Sequence, residues 1–349
     1  MRSATARALG RINLIGEHTD YNDGLVMPLA LRLGVTVGAR DRDDERVTLS
    51  TDADVQPGRL TYLLGAEERD GTWADRVKGV TAVLAREGAR LRGFDAAITS
   101  DLPLGAGLGS SAALAVAVLR AIDDLFALGL DDDAIVRLAH SAETDFAGAR
   151  AGLLDQLASV YGRQREALLI DVRERTTTVL PFPASAEIAV IDSGVRHEHA
   201  TGGYNQRRAE CEAAARHLGV SSLRDLEERP IDLLLERLPP PLDRRVRHVL
   251  TENGRVRETV AALESGDVER VGGILTASHD SLRDDYEVST AELDRLVELS
   301  IAAGAFGARV VGGGFGGSII ALGTSGEMHD VAEQVLSAYG AGGLVAIVP

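Results

Sequence analysis

Three glycine-marked segments hold the residue types from which a site for phosphate and hydroxyl groups can be built. The most polar is Gly10-Arg11-Ile12-Asn13-Leu14-Ile15-Gly16-Glu17-His18-Thr19-Asp20-Tyr21-Asn22-Asp23-Gly24. Carboxylates beside a histidine exchange hydrogen bonds with several hydroxyls at fixed angles, which is the chemistry of a sugar site. The polar groups are too dense for a strand and too irregular for an amphipathic helix, so a solvated loop is the plain alternative. Against it, Leu14, Ile15 and the run Leu25-Val26-Met27-Pro28-Leu29 anchor both ends in a core and hold the polar cluster in place. Metal binding is the weaker option, because His18 has no second histidine four residues on and cysteine ligands are absent nearby. The second segment is Pro103-Leu104-Gly105-Ala106-Gly107-Leu108-Gly109-Ser110-Ser111-Ala112-Ala113. Its glycines let backbone approach a ligand, and Ser110-Ser111 sit where unpaired amides at a helix start bind phosphate. A dinucleotide fingerprint fails here, since the third glycine it needs is replaced by Ser110. The third segment, Val310-Val311-Gly312-Gly313-Gly314-Phe315-Gly316-Gly317-Ser318, is disfavoured as plain strand. It reads equally as a hairpin bend or as part of a site.

Cation usage narrows the phosphate chemistry. Among 37 basic residues there is one lysine, Lys78, followed by Gly79 with no serine, threonine or glycine-rich run around it, so a Walker loop is excluded. Schiff-base chemistry is nearly excluded with it. The 53 acidic residues give a net charge of −16, which opposes binding to nucleic acid or an anionic membrane surface. One cysteine, Cys211, permits no internal disulfide and suits a reducing compartment. The longest apolar run, Ala112 to Leu119, is far shorter than the roughly 18 residues of a spanning helix. With no apolar signal core before Gly10, a cytoplasmic protein is expected.

Positioning these segments requires both strands and helices, and a chain of 349 residues is long enough for about two domains. Strands are expected over Val35 to Ala39, Arg46 to Ser50, Phe94 to Thr99, Ala167 to Asp171 and Ile188 to Asp192. Leu114, Val118, Ile122 and Leu125 recur at helical spacing after Ser110-Ser111, with Gly129 as a stop. A second helix comes after Asp131-Asp132 with Ile135, Leu138, Ala142 and Phe146 on its buried face, and a short third helix carries Leu153, Leu157 and Tyr161. Pro181-Phe182-Pro183 marks a break, Pro239-Pro240-Pro241 a stiff bend in a helix-rich half, and Arg309 to Leu322 the last ordered unit, a strand, glycine loop and strand.

These segments together resemble a known family. Residues Gly10 to Tyr21 resemble the signature of galactokinases, and the second and third glycine segments resemble the later motifs of the GHMP small-molecule kinases. Gly152-Leu153-Leu154-Asp155-Gln156 is similar to the stretch that carries that family's catalytic aspartate. Tyr204-Asn205-Gln206-Arg207-Arg208-Ala209-Glu210-Cys211 is similar to the galactokinase stretch that supplies a sugar-contacting tyrosine. The matches run from residue 10 to about 322.

The resemblance implies an α+β fold of two GHMP kinase domains, 1–181 and 182–349, with the active site in the cleft between them. It implies phosphorylation of the C1 hydroxyl of α-D-galactose by ATP with Mg²⁺, galactose and ATP being the small-molecule partners. Gly105, Ala106, Gly107, Leu108, Gly109, Ser110 and Ser111 would cradle the ATP phosphates, replacing the missing lysine. Ser111 and Glu143 would hold Mg²⁺. Asp155 would face the anomeric hydroxyl as general base, with Arg11 beside it helping to stabilise the transferring phosphoryl group. Glu17, His18, Thr19, Asp20, Tyr204 and Gly152 would contact the sugar. Lys78 lies in a segment similar to a galactokinase helix near the nucleotide pocket, without an assigned role.

Three positions depart from the family pattern: Leu9 stands where proline usually precedes the first motif, the serine run is reduced to Ser110-Ser111 after Gly109, and Val311 replaces a threonine. Two other readings share the residues, a sugar-1-kinase of the same fold acting on an N-acetylgalactosamine or arabinose type of sugar, and a sensor that binds galactose and ATP without turnover. No oligomeric state is implied, and a monomer is compatible with every motif.

Overall fold

The computed structural model describes residues 2–103, 107–148, 152–196 and 200–348. In chain order the first half forms β1 (Ser3–Ile15), β2 (Leu25–Asp41), β3 (Arg46–Thr51), β4 (Arg59–Leu63), α1 (Asp75–Arg86), β5 (Phe94–Ser100), α2 (Ser110–Phe126), α3 (Asp132–Ser141) and α4 (Leu154–Tyr161). The second half forms β6 (Glu166–Asp171), β7 (Thr176–Pro181), β8 (Ala186–Arg196), α5 (Ala200–Leu218), α6 (Ile231–Leu235) and α7 (Leu242–Ser265). It ends with α8 (Val268–Asp284), α9 (Ala291–Ala302), β9 (Gly307–Val311), β10 (Gly316–Thr324), α10 (Met328–Tyr339) and β11 (Gly343–Val348).

Contacts divide the chain into two compact units that are interleaved in sequence. The first comprises residues 1–11, 30–104 and 108–162, the second 12–29, 105–107 and 163–349. Both β1 and β2 therefore begin in one unit and continue into the other, and Pro181-Phe182 falls inside the second.

In the first unit the strand order is β4-β3-β5-β2, with β3 and β5 parallel and the other pairs antiparallel. Helix α2 is the core of this unit. Its small and branched residues Ala112, Val116, Leu119 and Ile122 are fully buried, and it packs on α1, α3 and α4. A helix so apolar on most sides is held by burial, at about 1.5–3 kcal/mol for each large side chain removed from water. It stops before the expected Gly129, because Ala127 already turns left-handed at φ 55°.

In the second unit the first residues of β2 pair with β6 and β6 pairs with β7. A separate antiparallel sheet, ordered β11-β8-β10-β9, packs against α9 and α10, and Ala189, Ile191, Val310, Ile319 and Ala321 form the sheet's share of the buried core. Cys211 lies in this core.

The strands and helices expected from periodicity are present, with three corrections. Residues 10–15 are neither loop nor helix but the end of β1, because Ile12, Leu14 and Ile15 are buried and even Arg11 and Asn13 are nearly so. The helical pattern ending in Phe146 does not run on as α-helix. A π-helical turn replaces it over Ala142–Phe146, leaving Phe146 only partly buried and Glu143 buried. Order does not end at Leu322, since α10 and β11 come after it and β11 joins the sheet through β8. As expected, Pro239-Pro240-Pro241 breaks the helix-rich half, separating α6 from α7. Among the described residues no helix is long and apolar enough to cross a membrane.

Candidate active site

The first unit gathers one group of the candidate residues. Strand β1 must approach the segment before α2 closely. A side chain at Gly10 would meet Leu102 Cδ2 at 2.5 Å and the Leu108 carbonyl at 2.8 Å. That approach lets Arg11 N donate to Leu108 O at 2.9 Å. Gly109, at φ 73°, turns the chain into α2 and leaves the first helical amides without a side-chain cap. Uncapped amides at the positive end of a 17-residue helix are a fit for anionic oxygen.

Beside this helix start, Ser111 Oγ donates to Glu143 Oε1 at 2.7 Å, and Gln156 Nε2 donates to Glu143 Oε2 at 2.7 Å. Burial pushes the Glu143 carboxyl up from the ordinary range, with the Ser111 hydroxyl opposing the shift. Glu143 is the second residue of the π-turn, whose extra residue shows in the Ala147 N–H bond to Ala142 O at 3.1 Å. One extra residue in a turn rotates the next side chains around the helix axis by about 100°. A desolvated carboxylate next to a serine hydroxyl is a set of hard oxygen donors, which suits Mg²⁺.

The residue before Gln156 on α4 completes the group. Arg11 Nε and Nη2 both donate to Asp155 Oδ1, at 2.8 and 2.5 Å. Among the described residues Oδ2 accepts no hydrogen bond, and the Asp155 side chain is 28% exposed. Asp155 also lies in the first turn of α4. Adjacent residues of one helix thus hold both the guanidinium of Arg11 and the carboxylate of Glu143.

A cavity of about 330 Å³ opens in the same unit, lined among others by Val55, Trp73, Arg76, Ser110, Ser111 and Leu114. Its rim is shaped by the single lysine. Lys78 Nζ binds Asp70 Oδ2 at 2.7 Å and the Glu68 carbonyl at 2.9 Å, while Asp75 accepts the amides of Asp70 and Gly71. Lys78 is therefore buried in a clip that folds the segment before α1.

The second unit gathers the other group. Glu17 is buried, its Oε1 accepting Arg309 Nη2 and Gly312 N, both at 2.8 Å, and its Oε2 accepting Asn13 Nδ2 at 3.1 Å. Fully buried Arg309 lies between Glu17 and Glu252. Burial opposes charge on Glu252, but Arg255, His248 and Arg309 outweigh it and hold the carboxyl down to about 2. His18 Nδ1 pairs with Tyr21 OH at 2.8 Å, Tyr21 OH with Tyr286 OH at 2.8 Å, and Tyr286 OH with Cys211 Sγ at 3.0 Å. Burial, reinforced by His248 and Arg207, lowers His18 to about 3, so its ring is neutral at pH 7. Its backbone is left-handed at φ 63°, a strained choice for a non-glycine residue and one that concentrates at working sites. Tyr204 of α5 packs with its ring centroid 5.4 Å from that of His18.

Each described candidate belongs to one of the two units. Arg11, Leu108, Gly109, Ser110, Ser111, Glu143 and Asp155 lie in the first unit, with Gly152 two residues before α4. Gly107, Glu17, His18, Thr19, Asp20 and Tyr204 lie in the second. The Thr19 hydroxyl is committed to the carbonyls of Gly16 and Leu25, closing the turn that presents His18 and Asp20. Asp20 opens the short 3₁₀ turn Asp20–Asn22. Gly105 and Ala106 lie outside the described residues. Sequence reasoning missed the roles of Gln156 and Arg309 although both sit in segments it singled out. It missed Glu252 and Tyr286 altogether, since nothing local marks either.

A nucleotide-sized cavity at an uncapped helix start, an oxygen-donor set and an arginine-held aspartate define a small-molecule kinase, and the chain matches GHMP kinases N terminal domain over residues 75–163 and GHMP kinases C terminal over 259–342. Residues 2–41 match the galactokinase galactose-binding signature. The galactokinase of Streptomyces coelicolor is 44% identical, covering 97% of this chain and 89% of its own, and that of Chloroflexus aurantiacus is 45% identical, covering 91% and 83%. The structure of Lactococcus lactis galactokinase complexed with galactose superposes with a TM-score of 0.92 at 34% identity, covering 97% of this chain and 90% of the other. The chain belongs to the galactokinase family. Mevalonate kinase from Methanococcus jannaschii, at 18% identity and a TM-score of 0.71, shares the fold alone.

Proposed function

We propose that the protein transfers the γ-phosphoryl group of ATP to the C1 hydroxyl of α-D-galactose, giving α-D-galactose 1-phosphate and ADP. The observation that carries this reading is the adjacency on α4, where Asp155 takes Arg11 and Gln156 takes Glu143. One turn of α4 thereby carries the carboxylate proposed for the acceptor hydroxyl and, through Gln156, holds Glu143, the one proposed for a divalent ion. The apolar wall of the cavity, with Trp73, Val55 and Leu114, takes the base, and the segment from Gly105 to Ser111 takes the phosphates.

Both Arg11 donors converge on Oδ1 of Asp155, so Oδ2 is the oxygen that accepts the hydrogen bond of the C1 hydroxyl and receives its proton as the oxygen attacks phosphorus. The Arg11 guanidinium keeps this carboxylate in one orientation and adds positive charge beside the transferring group. Ser111 and Glu143 would hold Mg²⁺, which would offset negative charge on the phosphates when bound. Neutral His18, Asp20, Tyr204 and the Glu17 carboxylate orient the sugar hydroxyls, and a buried polar set of this kind rejects an epimer by leaving groups unpaired.

The test is ADP release with galactose, N-acetylgalactosamine, arabinose or no sugar. Galactose-dependent release with formation of the 1-phosphate supports the reading. Preference for another sugar moves the specificity within the family, and binding of both ligands without ADP release refutes catalysis.

A further inference from the structure

The phosphate-holding segment has no lysine, and Arg11 is committed to Asp155, so a cationic side chain for the phosphates, besides a divalent ion, must come from elsewhere in the cavity wall. Arg76, the second residue of α1, lines the 330 Å³ cavity together with Ser110 and Ser111. Its Nε lies 4.0 Å from Glu143 Oε1, beyond hydrogen-bond reach, and that buried Nε has no hydrogen-bond partner among the described residues. Its side chain is 31% exposed, so the guanidinium is open to the cavity rather than sealed in the core. A buried guanidinium nitrogen left unbonded is costly, and a cation this close to a desolvated carboxylate is a counter-charge in search of better geometry.

We infer that Arg76 is a nucleotide-phosphate-binding residue: it neutralises Glu143 in the ligand-free protein and turns its guanidinium to the phosphate oxygens of a nucleoside diphosphate or triphosphate bound in this cavity. The inference rests on the kinase reading above and adds to it the cation that compensates for the absent lysine. The geometry favours a phosphate contact over a base contact. Arg76 shares its stretch of cavity wall with the two serines at the α2 amino terminus, and a guanidinium fork matches phosphate oxygens in pairs. Were Glu143 to hold a divalent ion, its carboxylate would no longer need Arg76, whose guanidinium would be available to the nucleotide.

Trp73 supplies the readout. It is the chain's only tryptophan, lines the same cavity and anchors its indole nitrogen on Pro57 O at 2.9 Å. Binding of ADP and of adenosine is measured by Trp73 fluorescence and by calorimetry for wild type, Arg76→Met and Arg76→Lys, in EDTA and in Mg²⁺. Arg76→Met is expected to weaken ADP about 10–100-fold, the worth of a charge-assisted contact, and to leave adenosine and galactose unchanged. Arg76→Lys is expected to recover part of the loss, and raised salt to weaken ADP binding less in Arg76→Met than in wild type. Equal losses for adenosine and ADP, or unchanged ADP affinity in Arg76→Met, overturn the inference while wild-type galactose phosphorylation leaves the kinase reading standing. Wild type that binds no ADP overturns both.

Discussion

Replacing Glu143 by glutamine separates the cost of keeping a carboxylate buried from the use made of it. The shape is conserved and the local bonds survive. The introduced amide oxygen accepts from Gln156 Nε2, and its nitrogen donates to Ser111 Oγ once that hydroxyl rotates. Burial raises the Glu143 pKa, so at pH 7 the site favours the neutral side chain over the charged one relative to water. The Arg76 pair at 4.0 Å is loose and partly exposed, so its loss costs little. E143Q is therefore expected to unfold in EDTA at the same temperature or slightly higher, with a change of up to about 1 kcal/mol, the difference between a charged and a neutral hydrogen bond. Ligand stabilisation moves the other way. Wild type at 100 times the Kd of Mg²⁺-ADP gains about 2.7 kcal/mol, while a 100-fold weaker complex gains about 0.4 kcal/mol at the same concentration. Losing even an outer-sphere partner costs a metal site about 10–100-fold, so a lost ligand reaches that weaker limit. Thermal unfolding with and without Mg²⁺-ADP, alongside ADP release, gives both quantities. A variant destabilised by more than about 1 kcal/mol in EDTA, yet fully stabilised and active with Mg²⁺-ADP, would show that Glu143 is a structural carboxylate.

Four further outcomes rest on named contacts. Asp155→Asn should lower kcat by about 10²–10⁴ with galactose and ADP affinities retained; a few-fold loss of kcat would remove Asp155 from proton transfer. Asp20→Ala should raise the galactose KM strongly and spare ATP, and an unchanged galactose KM would take Asp20 out of the sugar site. Arg309→Met removes the cation bonded to buried Glu17, while Glu252 keeps Arg255, and urea unfolding should report a loss of about 3–5 kcal/mol; a loss below about 1 kcal/mol would refute the buried Glu17–Arg309 pair. His18 and His248 are lowered to about 3 and about 4 by burial, so below pH 6.5 the unfolded chain binds protons that the folded one does not. Stability is full above that pH and falls toward pH 4 by up to about 1.4 kcal/mol per unit for each ring, and His248→Asn should remove one ring's share of the slope.

In the first unit's site the adjacent serines after three spaced glycines were legible from residue type alone, whereas Glu143, Asp155 and Arg11 were legible only through the resemblance to the family's motifs. The second group was legible as polar and illegible as architecture. Glu17 looks like a loop carboxylate because the groups that satisfy it, apart from Asn13, are far along the chain. Glu17 is matched by Arg309 and Gly312, and the Gly16 amide by Glu252. Periodicity reads neighbours within a turn or a pleat and sees none of these. The π-turn escaped for the opposite reason, since Ile135, Leu138, Ala142 and Phe146 fit an ordinary helix and only the pairing of Glu143 with Ser111 and Gln156 marks the extra residue. Helix α10 has the helical spacing Met328, Val331, Ala332 and Val335, all buried, so its omission came from taking the glycine loop for an end rather than from a missing signal.

The distribution of cations has a physical order of its own. The one lysine, whose strongly hydrated ammonium makes three short bonds at any angle, is placed where it binds Asp70 and the Glu68 carbonyl and shapes a loop. The position that faces Asp155 carries arginine, whose donors keep a fixed fork. At Arg11 that fork puts two donors on one carboxylate oxygen and leaves the other open, a distinction a rotating ammonium does not enforce. Arg11→Lys should therefore preserve the charge beside Asp155 while losing the asymmetry between its oxygens. Turnover should fall with nucleotide affinity nearly intact, and an Arg11→Lys enzyme with wild-type kcat would mean that charge alone, without the fork, orients the base.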